Sequence, residues 1–122
     1  MILQQMSWEE VETYLATRDD AVLPVGSTEQ HGPIGLIGTD ALCATAVAEG
    51  ASARAGAIML PPVPYTPAPF NMGFPGTISV SEASFTALVS DIIAALATHG
   101  FRRLYVVNAH GANLAPLKAL AG

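Results

Sequence analysis

Hydrophobic positions along this chain follow two rhythms. Short unbroken apolar runs occur at Ala21 to Val25, Ala57 to Leu60 and Leu104 to Val107, with helical spacing between them. A short apolar run without alternation marks a strand buried on both faces, the kind found in parallel sheets. Ser7-Trp8-Glu9-Glu10 has the form of a capping box, and opens a helix predicted to reach about Ala16. An Ala-rich helix is expected from Asp40 to about Ala53, with the Asp40 carboxylate placed to cap it. Ser81 caps a third helix through about Thr98, with Phe85, Leu88, Val89, Ile92, Ile93 and Leu96 as its inward stripe. His99 and Gly100 end it, the glycine as a left-handed C-cap. Leu114 to Leu120 starts a further helix. The proline-dense segment from Pro61 to Gly76 reads as a shaped loop, and Thr77 to Val80 as a weak strand or extended link.

Strands and helices in strict alternation predict an α/β fold, a three-layer α/β/α architecture on a mostly parallel sheet, with Leu104 to Val107 as a central strand. A doubly wound sheet normally has more strands than these. Residues 1–122 therefore read as the N-terminal part of a single larger domain, incomplete in this chain.

Composition narrows the function classes. Hydrophobic residues make up 51% and charged ones 12%, which excludes a disordered chain. The net charge is −5, and Lys118 with four arginines supplies no basic patch for nucleic acid. Cys43 has no partner for an internal disulfide. No signal-peptide pattern and no apolar run long enough for a membrane span is seen, so a soluble cytoplasmic protein is expected. Cys43 reads as a small core residue, Trp8 and Tyr65 as packing residues, His99 as a helix-end residue, and Met72 and Phe74 as core or pocket wall. Tyr65 and Phe74 are also the candidate substrate-binding residues. Walker, Gly-x-Gly-x-x-Gly and Gly-x-Ser-x-Gly patterns are all missing.

The chemistry sits where two apolar runs end. Ala21 to Val25 leads into Gly26-Ser27-Thr28-Glu29-Gln30-His31-Gly32-Pro33, then Gly38-Thr39-Asp40. Leu104 to Val107 leads into Asn108-Ala109-His110-Gly111-Ala112-Asn113. Ligands gather at the carboxyl ends of strands in an open parallel sheet. In extended chain Glu29 and His31 point to one side and Gln30 to the other. Each residue has a plainer reading: Glu29 and His31 as a solvated loop pair, Asp40 as a helix cap, His110 as a strand-end hydrogen-bonding residue. Together, two imidazoles and two carboxylates at one sheet edge suit zinc or manganese better than calcium. An Asp40 that bridged two such ions would let them share a hydroxide nucleophile. Asn108 and Asn113 are candidates to support the ligands from behind.

These three segments, with Gly73-Phe74-Pro75-Gly76-Thr77 between them, resemble the creatininase family (creatinine amidohydrolase and relatives) over nearly the whole chain. The resemblance implies an α/β/α fold, often hexameric. It also implies two divalent ions, zinc or manganese, that hydrolyse non-peptide or cyclic C–N bonds of a small amide. By position, Glu29, Asp40 and His110 match ligands of one metal and His31 a ligand of the other, with Asp40 bridging. The sequence departs from the pattern at Ala112, where creatininase itself has a glutamate ligand, and at Phe70-Asn71, where related sequences often carry histidine. A general acid or base is expected from the C-terminal half of such enzymes. The alternative expectation is a truncated, non-catalytic fragment or assembly partner.

Overall fold

The computed structural model describes residues 1–121. Its sheet has three parallel strands in the order β2-β1-β3, with β1 at Asp20–Val25, β2 at Ile58–Met59 and β3 at Arg103–Asn108. The helices are α1 (Trp8–Leu15), α2 (Thr39–Ala55), α3 (Glu82–His99) and α4 (Leu114–Ala121). All six residues of β1 are buried, as an apolar run without alternation demands.

The period of two along β1 sorts the helices into layers. Ala21, Leu23 and Val25 face a core built with Tyr14 of α1, Phe85 and Val89 of α3, and Leu117 and Leu120 of α4. Val22 faces the other way, with Met59, Ala57 and Val107, against Ala48 of α2. The sheet thus lies between α2 and the other helices, which makes the three layers. From β1 the chain crosses over α2 to β2 on one side, then back over α3 to β3 on the other. The order reverses between β1 and β3, so a topological switch point opens there, where α/β sheets bind their ligands.

Local signals fix several boundaries. Ser7 Oγ accepts from Glu10 N at 3.2 Å while the Glu10 carboxylate accepts from Ser7 N at 3.0 Å, a complete capping box. Ser81 caps α3 through Ser84 N, and Gly100 at φ 105° closes it. Other expectations are corrected. β3 is an edge strand among the described residues, pairing with β1 only, and Tyr105 and Val106 are exposed. On α3 only Phe85 and Val89 are fully buried, while Leu88 and Ile93 lie toward solvent. Cys43 is exposed, because α2 turns Ala44, Ala48 and Ser52 inward and Cys43 falls off that stripe. Trp8, first in its helix, is 72% exposed. Of the two readings of Thr77 to Val80, the extended link holds and the strand does not: isolated bridges tie Ile78 to Thr28 and Ser79 to Thr66. None of the described helices is long and apolar enough to cross a membrane.

The amino end of the sheet is locked by a polar network remote from the ligand loops. Arg18 grips Asp20 in bidentate fashion, Nε to Oδ1 at 3.0 Å and Nη2 to Oδ2 at 2.7 Å, and Nη1 donates to Ala55 O at 2.7 Å. The Tyr14 hydroxyl lies 2.7 Å from Asp20 Oδ1. Arg18 holds the buried Asp20 carboxyl down at about 2, although desolvation alone would raise it. A carboxylate depressed in the folded state contributes stability above its ordinary pKa and loses it as the pH falls through the folded value. Asp20→Asn is therefore expected to cost on the order of 1–2 kcal/mol at pH 7. In urea unfolding, its deficit against wild type should shrink between about pH 4 and pH 2. A deficit independent of pH across that window would show that Asp20 acts through packing alone.

Candidate metal centre

Four side chains meet at the switch point. Glu29 and His31 stand on the loop after β1, Asp40 in the first turn of α2, and His110 directly after β3. Val25 is in register with Asn108, so the two loops leave the sheet at the same level. The loop after β1 is closed on itself by Glu29 N donating to Ile37 O at 3.0 Å. That closure brings Asp40 back over Glu29.

Asp40 joins the cluster through both oxygens. Its Oδ1 lies 3.1 Å from His31 Nε2 and its Oδ2 lies 3.0 Å from His110 Nδ1. Glu29 Oε1 is 2.9 Å from the same His110 nitrogen. Ligand atoms of Glu29, His31 and Asp40 all lie within 4.8 Å of one another. His110 thus meets the two carboxylates, and Asp40 alone also faces His31. Asp40 is not the helix cap, however. Gly38 holds that position, and Asp40 is the second residue of α2 with its carboxylate turned into the cluster.

The imidazoles are oriented from behind by main-chain carbonyls. His31 Nδ1 donates to Glu29 O at 3.0 Å and His110 Nε2 donates to Pro67 O at 2.8 Å. With those nitrogens protonated, the neutral rings turn lone pairs toward the carboxylates. At 2.9–3.1 Å from a carboxylate oxygen such a lone pair is repelled, and either a proton on the ring or a cation between the two removes that repulsion. The Glu29 carbonyl, and then the Asp40 carboxylate, raise the His31 pKa above its ordinary value. Burial pushes the Asp40 carboxyl up, but the Ser27 hydroxyl and the His31 ring outweigh it and hold the pKa below the usual range. No lysine or arginine is among the partners of these four side chains. Two carboxylates and two backed imidazoles are a donor set that divalent zinc or manganese fits, with carbonyl-backed imidazoles the usual support of a metal ligand.

Asn108 and Asn113 support the main chain rather than the rings. Asn108 Nδ2 donates to His110 O at 2.9 Å, and Asn113 Nδ2 donates to Asn108 Oδ1 at 3.0 Å and to Gly26 O at 2.9 Å. Tyr65 lines an apolar cavity of about 350 Å3 with Leu23, Leu60, Leu88 and Ile92, which none of the four cluster residues lines. Phe74 is exposed, and its main chain bonds to Asn71 and Thr77. The ring lying against the cluster is instead Phe70, stacked on His110 at 6.2 Å between centroids.

Three further residues escape a reading by motif. Ser27 is fully buried, its Oγ 2.8 Å from Asp40 Oδ2 and 3.1 Å from Glu29 Oε1. Asn71 donates to Glu29 Oε2 at 2.6 Å, and Gln30 donates to Asn71 Oδ1 at 2.7 Å. Ser27 stands two residues before Glu29 and shares its side of the extended chain, a signal that was available. Asn71 lies in the proline loop, and no spacing announces it.

Residues 4–122 match the creatininase family model, described as creatinine amidohydrolase. Creatinine amidohydrolase of Pseudomonas putida is 38% identical over 115 residues, covering 89% of this chain and 44% of that protein. The mycofactocin precursor peptide peptidase of Mycolicibacterium smegmatis is 39% identical over 104 residues, covering 80% of this chain and 42% of that one. A manganese creatininase structure superposes with a TM-score of 0.90 at 36% identity, over 96% of this chain and 48% of that one. A Zn–Zn form of a creatininase mutant gives 0.88 at 35% identity, over 98% and 50%. The chain spans at most half the length of these proteins. By its family model, its relatives and its fold, the chain belongs to the creatininase family.

Proposed function

We propose that this chain supplies the main part of a dinuclear metal centre in an amidohydrolase. That enzyme opens a non-peptide or cyclic C–N bond in a small amide. The observation that supports it most is the division of Asp40, one oxygen toward His31 and the other toward His110. A carboxylate placed so can serve two cations at once. Glu29, Asp40 and His110 would hold one ion, and His31 with Asp40 the other. Bound there, divalent zinc or manganese polarises an amide carbonyl and supplies a hydroxide nucleophile at neutral pH. Names among the relatives include an amidohydrolase and a peptide peptidase, which supports hydrolysis of a C–N bond and leaves its class to the test.

The chain's own residues prepare the site. Pro67 O and Glu29 O fix which nitrogen each imidazole presents. Ser27 donates to Asp40 Oδ2 and so fixes the rotation of that carboxylate. The Phe70 ring lies beside that of His110, nearly parallel at 6.2 Å between centroids.

Metal analysis of the purified protein decides the matter. About two equivalents of zinc or manganese per protein are expected, with one lost in His31→Ala. Chelation should abolish hydrolysis of a panel of cyclic and N-substituted amides, and restored metal should recover it. Metal content far below one equivalent, or unchanged by His31→Ala, would sink the reading. Cleavage of peptides in preference to cyclic amides would overturn the bond class alone.

A further inference from the structure

The Glu29 carboxylate has a neighbour at each oxygen. Oε1 lies 2.9 Å from His110 Nδ1, while Oε2 accepts from Asn71 Nδ2 at 2.6 Å. Asn71 Oδ1 in turn accepts from Gln30 Nε2 at 2.7 Å. Gln30 Oε1 accepts from Gly32 N at 2.8 Å, and Gln30 N donates to Thr77 Oγ1 at 3.1 Å. Each amide in this chain is pinned at both ends. The Gly32 N–H can be met only by the Gln30 oxygen, which turns the Gln30 NH2 toward Asn71. Asn71 must then offer Gln30 its oxygen and Glu29 its NH2. Turning either amide over would set like groups against each other twice.

We infer that Asn71 and Gln30 form a positioning relay that holds Glu29 to a single oxygen facing the proposed cation, an inference that rests on the metal reading above. The last torsion of a glutamate is soft and roughly two-fold, so a free carboxylate turns readily between one-oxygen and two-oxygen ligation. Here Oε2 accepts a short hydrogen bond from the neutral Asn71 amide, and a bond accepted by a carboxylate is the stronger kind. Oε1 alone remains with His110 and Asp40. Glu29 is 4% exposed, so little water competes with Asn71 for Oε2. The relay also explains how the proline loop, 42 residues away in sequence, sets geometry at the cluster. Gln30 points away from the ligands and still reaches Glu29, through Asn71.

The test uses the purified protein loaded with Co(II), comparing wild type with Asn71→Ala, Gln30→Ala, the double variant and Gln30→Glu. The readouts are Co(II) affinity by chelator competition, the visible Co(II) absorption band, and the melting temperature of the metal-free protein. Asn71→Ala is expected to weaken Co(II) binding about 10–100-fold, the usual effect of removing such support. Gln30→Ala should weaken it less, and add nothing once Asn71 is gone, because it acts through Asn71. Gln30→Glu is the sharper arm. An added negative charge near the cations favours binding by attraction alone. The relay requires the opposite, since a carboxylate at position 30 repels Asn71 Oδ1 and turns that amide oxygen toward Glu29. Weaker binding with a shifted absorption band in Gln30→Glu supports the relay. Binding as tight as wild type or tighter overturns it. So does a lowered metal-free melting temperature with unchanged affinity and spectrum in Asn71→Ala. If wild type binds no Co(II), the metal reading and the relay fall together. If wild type binds and Asn71→Ala stays within about threefold of it, well below a tenfold change in affinity, only the relay falls.

Discussion

Replacing Asp40 with asparagine is expected to leave the protein folded, with one metal ion instead of two and hydrolysis reduced at least about 100-fold. The side chain is nearly isosteric, so packing at the start of α2 is kept. Gly38, not Asp40, caps that helix, so no cap is lost. What changes is the donor pattern. The carboxylate faces His31 Nε2 with Oδ1 and His110 Nδ1 with Oδ2, the nitrogens whose lone pairs would face a bound cation. An asparagine must point its NH2 at one of them. In the metal-free protein a neutral contact replaces the attraction between the Asp40 carboxylate and the His31 ring, so folding should be kept with at most a small fall in the metal-free melting temperature. In the loaded protein the NH2 stands where a cation needs an oxygen, and one ion is lost. Metal content, turnover and metal-free melting temperature, measured together, test this. An Asp40→Asn protein that keeps both ions and full activity would show that Asp40 does not bridge.

Gly26→Ala is expected to be strongly damaging for a single added methyl. Gly26 follows β1 directly, and its backbone passes against the first turn of α2. A Cβ there would overlap the Ala41 backbone nitrogen and Cα and lie 2.6 Å from the Asp40 carbonyl carbon. These are backbone atoms with no rotamer to yield. Gly26 cannot retreat either, since its N donates to Val63 O and its O accepts from Thr66 Oγ1 and Asn113 Nδ2. Helix α2 must move instead, and Asp40 with it. A loss of on the order of 3 kcal/mol is expected, the upper range for overpacking, together with weakened metal binding. Gly50→Ala, in the same helix with nothing near its Cβ, should stabilise by roughly 0.5–1 kcal/mol as helix propensity improves. Denaturant unfolding of the two variants distinguishes a local clash from a general intolerance of α2 to added bulk. Equal stability of Gly26→Ala and wild type would refute the close approach.

The legible parts of the fold were those that local chemistry specifies. The capping box at Ser7, the Gly100 C-cap and the buried run of β1 depend on neighbours in sequence, and each stands where the pattern placed it. The errors came from tertiary context. Apolar Tyr105 and Val106 read as a central strand, yet β3 has one partner among the described residues. Cys43 on an Ala-rich helix read as core, but which face of such a helix turns inward is poorly marked when most positions are alanine. At the cluster, Glu29, His31, Asp40 and His110 could be named as candidates because they lie in or just after two segments that directly follow apolar runs. Their backing was not. The Pro67 carbonyl and the Asn71 amide arrive from a loop whose path follows no period, and main-chain carbonyls have no residue type to read.

The donor set has a consequence in simple charge accounting. Two divalent cations bring four positive charges, and Glu29 and Asp40 return two, while the neutral imidazoles return none. Asp40 also sits in the first turn of α2, whose N-terminal end adds a further partial positive charge. These four residues therefore leave the loaded centre about two charges short of neutrality. That surplus attracts anions, so any carboxylate brought beside it, from elsewhere in the protein or as part of the substrate, meets a field that already favours it.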